Sequence, residues 1–241
     1  MPESIQAILF DLDGTLLEND MNVFLPHYFQ RLSARVDHIL PTNAFLNELM
    51  RATRAMLEND GRATNEEVFS AAFYPLAGHT REELEPVFID FYRNDFPALQ
   101  QYARRKPEAR QVVRSAFDLG YDVVIATNPL FPALAIEERL RWAGVADFPY
   151  HLVTTYENSR ACKPNLLYFE EIAEKLGRPA EACLVVGDED MDMVAARLGC
   201  TTFLVPSPRT DLGPEIPEPN YRGTLAEVGA WLRASGRAPR A

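Results

Sequence analysis

Five short, largely apolar runs punctuate the chain. They are Gln6–Phe10 (QAILF), Tyr121–Ala126 (YDVVIA), Leu152–Thr155 (LVTT), Cys183–Val186 (CLVV) and Thr202–Val205 (TFLV). Each is nearly continuous rather than alternating, as strands buried on both faces are. Pro107–Leu119 precedes the second run, and Pro132–Ala143, Pro164–Leu176 and Asp192–Leu198 separate the last four, each with the look of a helix. Strand and helix in alternation predict an α/β fold, with a Rossmann-like parallel sheet covered by helices on both faces.

The interval between the first two strands is far too long for one crossover helix. Within it Leu25, Phe29, Leu32, Val36 and Ile39 step by four and three, tracing one apolar helix face. Thr42 is placed to cap a second helix carrying Phe45, Leu46, Leu49, Met50, Met56 and Leu57. Thr64 with Glu67 and Thr80 with Glu83 have capping-box spacing and open two more. Residues 16–105 therefore read as an all-helical cap domain inserted into a core made of residues 1–15 and 106–241. Near the end, Pro206, Pro208, Pro214, Pro217 and Pro219 mark an extended connector, Gly223–Arg233 reads as a closing helix, and the last few residues are expected to fray.

Composition narrows the function classes. Asp and Glu number 35 against 24 Lys and Arg, a net charge of −11. That balance argues against wrapping nucleic acid, which needs clustered cations, and against docking on an anionic membrane. No run approaches the roughly 18 apolar residues of a membrane span, and the N-terminus lacks the basic and apolar regions of a signal peptide. Cys162, Cys183 and Cys200 are odd in number and widely spaced, so neither a disulfide framework nor a thiolate zinc site is indicated. The expectation is a cytoplasmic protein.

The chemistry gathers at strand ends. The first strand runs straight into Asp11, Asp13 and Gly14, and ligands of open α/β sheets bind beyond the carboxyl ends of strands. Alone, such a D-x-D-G also fits a turn that only serves the backbone. Thr127-Asn128 ends the second strand, where a hydroxyl and amides would hold an anionic oxygen. Lys163-Pro164 follows the third, the proline placed at a helix N1 position. Gly187-Asp188 ends the fourth, with Asp190 and Asp192 just beyond. Four polar groups at four strand ends converge on one site, and carboxylates so close together call for a cation.

These four motifs resemble, in order, those of the haloacid dehalogenase superfamily: Asp11-Leu12-Asp13-Gly14-Thr15, Thr127, Lys163, and Asp188 with Asp192 in GDEDMDM. The resemblance implies a phosphatase with a C1-type helical cap, acting on a small phosphate ester with Mg²⁺. Asp11 would be the nucleophile that forms an aspartyl-phosphate, and Asp13 the general acid and base. Thr127, Asn128 and Lys163 would bind the phosphoryl oxygens. Asp11, the Asp13 main-chain carbonyl and Asp188 would hold the metal, with Asp192 or Asp190 supporting them. Asp192 reaches Gly199 in seven positions rather than the family's usual eight, which leaves the choice between those two open. Asn19, Asp20, Asn22, His27 and Tyr28 enter the cap just after the catalytic loop and are candidates for substrate contacts. The same motifs also fit a β-phosphoglucomutase-like sugar phosphomutase, or a silent binding protein that keeps the fold.

Overall fold

The structure, a computed structural model, describes residues 5–234; the expected fraying of the last residues falls outside them. Six strands form the main sheet: β1 (Ala7–Phe10), β4 (Asp122–Ile125), β5 (Leu152–Val153), β6 (Cys183–Gly187), β7 (Thr201–Leu204) and β8 (Tyr221–Arg222). Their order is β5-β4-β1-β6-β7-β8, and every neighbouring pair is parallel. The chain builds outward from β1 in one direction, then returns to build in the other. The crevice between the ends of β1 and β6 is thus the topological switch point, where ligands of such sheets sit.

Two more strands, β2 (Leu17–Asn19) and β3 (Ala103–Arg105), pair antiparallel, Leu17 opposite Arg105. Between them run α1 (Met21–Val36), α2 (Thr42–Leu57), α3 (Asn65–Ala77) and α4 (Arg81–Asn94), followed by a 3-10 turn over Phe96–Tyr102. Both capping boxes form, on Thr64 and on Thr80. Thr42 does not cap α2: its hydroxyl donates to Asp37 (3.2 Å) and Pro41 takes the cap position.

The remaining helices are α5 (Ala109–Asp118), α6 (Ala133–Ala143), α7 (Leu166–Leu176), the single turn α8 (Asp190–Met193) and α9 (Leu225–Ala234). Pro164 lies ahead of α7 rather than in its first turn, because the Asn165 side chain accepts from Leu167 N–H (3.0 Å) and caps the helix there. The segment expected to be helical from Asp192 begins earlier, at Asp190, and continues as a 3-10 turn over Val194–Leu198.

Alternation along β1 divides the core. Ala7 and Leu9 face a cluster with Tyr168, Phe169 and Ile172 of α7. Ile8 and Phe10 face a larger one that continues without a break into the helical layer through Phe24, Phe96 and Trp142. Phe96 stacks on Trp142 with ring centres 5.3 Å apart, and Phe24 meets both rings. Each fully buried phenylalanine contributes roughly 1.5–3 kcal/mol. The helical insertion is therefore fused to the sheet by shared aromatic packing.

Candidate active site

Asp11 leaves β1 with its backbone N–H on Val186 O (2.9 Å), which fixes the strand end against β6. Lys163 Nζ donates to Asp11 Oδ1 (2.8 Å) and to Asp192 Oδ1 (2.6 Å). Burial works against the ammonium, but the two carboxylates outweigh it and hold its pKa well above the ordinary value. Oxygens of Asp11, Asp188 and Asp192 all lie within 4.8 Å of one another. Asp188 has no ammonium of its own, and burial together with the charge of Asp11 pushes its carboxyl up to about 6. Its Oδ2 is buried and without a hydrogen-bond partner.

A buried carboxylate oxygen with no hydrogen bond, only the Arg209 guanidinium 3.6 Å away, beside two more carboxylates fits a hard cation, since an all-oxygen donor set suits Mg²⁺. Asp190 stands outside this cluster, whereas Asp192 is fully buried within it. The glycine after Asp13 is required by geometry. Gly14 has φ +99°, and a Cβ there would run into the Asp188 carboxylate.

Asp13 is buried and doubly held: Asn19 Nδ2 donates to Oδ1 (2.8 Å), and Arg139 Nη1 to Oδ2. Burial raises its pKa, the opposing pull of Arg139 notwithstanding. Arg139, on α6, is 1% exposed; its guanidinium lies 4.6 Å over the Phe131 ring, while Nε and Nη2 have no acceptor. The Asp13 carbonyl accepts from Arg209 Nη2 (3.1 Å), which also reaches Glu189 (2.9 Å) and Asp188 (3.6 Å). Lys106 Nζ donates to the Gly14 carbonyl.

Two loops carry the anion-binding candidates, and they are tied together. Asn128 Oδ1 accepts from the Lys163 N–H (3.2 Å), while the Thr127 carbonyl accepts from Thr154 (2.7 Å) and Tyr168 (2.9 Å). Asn65, the fully buried first residue of α3, reaches both loops. Its Nδ2 donates to Pro129 O (3.1 Å) and lies 3.4 Å from Ala161 O, and its own Oδ1 accepts from Asn59 (2.8 Å).

Above these groups lies a cavity of about 560 Å³ between the sheet and the helical layer, walled by Asp11, Asp13, Thr127, Asn128 and Asp188 below. Of the residues expected to meet substrate, Tyr28 lines it, its hydroxyl paired with that of Tyr92 (2.8 Å). Asn19 instead holds Asp13, Asp20 caps α1 through the Asn22 N–H (2.9 Å), and His27 stacks on Tyr102.

Arg139, Arg209, Lys106 and Asn65 were not anticipated. For Arg139 a signal existed: it falls at helical spacing among the buried Ala135, Ile136, Leu140 and Ala143, where a charge has no place without a partner. Arg209 belongs to the proline-rich stretch, which is more than a connector, because Thr210 also donates to the Asp188 carbonyl (2.6 Å).

A family model for haloacid dehalogenase-like hydrolases matches residues 5–199. A phosphoglycolate phosphatase of Neisseria gonorrhoeae is 26% identical over 203 residues, 82% of this chain and 78% of that protein. Among solved structures, a HAD phosphatase from Thermococcus onnurineus superposes with a TM-score of 0.59 at 21% identity, covering 97% of this chain and all of that one. The L-2-haloacid dehalogenase of Xanthobacter autotrophicus does so with a TM-score of 0.56 at 17% identity and the same coverage. Likenesses at that level of identity establish the fold.

Proposed function

The chain belongs to the haloacid dehalogenase-like hydrolases, and on that footing we propose that it is a Mg²⁺-dependent phosphomonoester hydrolase working through an aspartyl-phosphate. The observation that carries this reading is the meeting of Asp11, Asp188, Asp192 and Lys163 at the switch point, with Asp13 beside them.

In the proposed first step an Asp11 carboxylate oxygen forms a bond to phosphorus as the bond to the ester oxygen breaks. Asp13 gives its proton to the departing alcohol, and burial shifts its pKa in the direction a proton donor needs. In the second step Asp13 takes a proton from water as the water oxygen bonds to phosphorus and the Asp11–phosphorus bond breaks. Thr127, Asn128 and the Lys163 ammonium hold the phosphoryl oxygens throughout, the last fixed in place by Asp192. Asp11, Asp188 and the Asp13 carbonyl would hold Mg²⁺, which when bound screens the charge of nucleophile and phosphoryl group.

The test is phosphate release from a panel of esters with and without Mg²⁺. The related phosphatases make 2-phosphoglycolate the first to assay. Wild type should release phosphate only with the metal, and Asp11→Asn should release none. A wild type inert across the panel refutes the proposal.

A further inference from the structure

The walls of the cavity describe the alcohol half of the ester. The helical layer contributes Met, Leu, Ile, Phe and Tyr side chains almost throughout, among them Leu25, Phe29, Leu49, Met56, Phe88 and Tyr92. Among the described residues it contributes no lysine, arginine, histidine, asparagine or glutamine to that wall. Most of its polar atoms are already engaged. The Tyr28 and Tyr92 hydroxyls bond each other (2.8 Å), and Thr53 Oγ1 donates back to Leu49 O within α2 (2.8 Å). Glu66 and Glu85 are both held by Arg81, at 2.5 and 2.6 Å. On the sheet side, Glu157 accepts from the Ala133 N–H (2.9 Å).

A polar or acidic alcohol entering this space would shed water against surfaces that offer little in exchange. A second negative charge would face Glu66 and Glu85, which share the single cation Arg81, while Arg209 in the opposite wall is taken up by Glu189 and the Asp13 carbonyl. Arg139 has spare N–H groups, but its charge is met by Asp13 and its face covers Phe131. The volume, about 560 Å³, is that of sites that enclose drug-sized ligands and is far more than a two-carbon acid needs.

We infer that the preferred substrate is the monophosphate of an uncharged, apolar alcohol, its phosphate at Asp11 and Thr127 and its hydrocarbon against α1, α2 and α4. This rests on the phosphatase reading and narrows its substrate class. It also separates this chain from the short acidic ester for which its relative in Neisseria gonorrhoeae is named.

The experiment compares kcat/KM for methyl, butyl and octyl phosphate and 2-phosphoglycolate, all with Mg²⁺. Alongside it, calorimetry measures binding of methyl- and octylphosphonate, which cannot be hydrolysed. Each buried methylene should raise kcat/KM about fourfold, so butyl phosphate should exceed methyl phosphate by about 60-fold. Octylphosphonate should bind more tightly than methylphosphonate, with a negative heat-capacity change. Met50→Arg, at a half-exposed position in the cavity wall, should shrink the octyl-to-methyl ratio. A flat series, or 2-phosphoglycolate turning over faster than butyl phosphate, overturns the inference while leaving the phosphatase intact. If no ester is hydrolysed but octylphosphonate still binds more tightly, the phosphatase reading falls and the apolar site stands.

Discussion

Arg139 and Asp13 form a buried ion pair at the floor of the cavity, at 1% and 9% side-chain exposure, between residues 126 apart in sequence. At hydrogen-bonding separation two unit charges attract by about 6 kcal/mol at an effective dielectric constant of about 20. Burying each ion costs several kcal/mol, so the pair as a whole nets close to zero. Removing one partner is another matter. Arg139→Met leaves Asp13 buried beside Asp11 with only Asn19 to bond it, and Asp13→Asn leaves a buried guanidinium that already has two unpartnered nitrogens. Each should cost about 3–5 kcal/mol, against a total stability of about 5–15 kcal/mol. The double variant Asp13→Asn/Arg139→Met should lose far less than the sum, with a coupling of at least about 2 kcal/mol. Urea denaturation of the four proteins in EDTA, which keeps metal binding out of the comparison, measures the cycle. Additive losses, or an Arg139→Met loss below about 1 kcal/mol, would refute the claim that each of these buried charges depends on the other.

Other outcomes follow from burial and bonding. Burial pushes the thiols of Cys162, Cys183 and Cys200 up to about 12, 11 and 12, so a thiol reagent at about pH 8 should find almost none in the native protein and all three after denaturation. Burial opposes the Glu171 carboxylate, but the Arg160 N–H and the side chains of Lys175 and Arg160 outweigh it and keep its pKa below the usual 4.5. Its stabilisation is complete above that value and disappears as pH falls through the folded pKa. Glu171→Gln should therefore cost about 1–3 kcal/mol at neutral pH, and the gap from wild type should close in acid melts. Asn65→Ala should cost a similar amount by urea denaturation. Asn65→Asp should cost more, because it turns a negative charge toward the carbonyls of Pro129 and Ala161.

What could be read from the sequence was local. The buried strand ending in Asp11, the Thr64 and Thr80 boxes and the Gly187-Asp188 strand end each declare themselves within a few neighbours. Strands of two or three residues, such as β2, β3 and β8, leave too little periodicity to register. Thr42 looked like a cap because its hydroxyl stands at a helix start, but Asp37, five residues back, competes for it. The second partner of Asp13 was invisible for a different reason: a pairing across 126 residues exists only once α6 has folded against the sheet. The same holds for Arg209, which meets the Asp13 carbonyl from 196 residues away.

Asn65 adds a hydrogen-bonded attachment of the helical layer to those made by the β2–β3 ribbon and the aromatic packing on Trp142. It stands at the first turn of α3, yet its amide is spent on the loop after Asn128 and close to the one before Lys163. Lifting α3 away from the sheet would strip those carbonyls of a donor and strand the Asn65 side chain without its acceptors. Entry to the cavity and rigidity of the two loops proposed to hold phosphate are thereby made one mechanical variable: the door cannot swing on this side without slackening the vice beneath it.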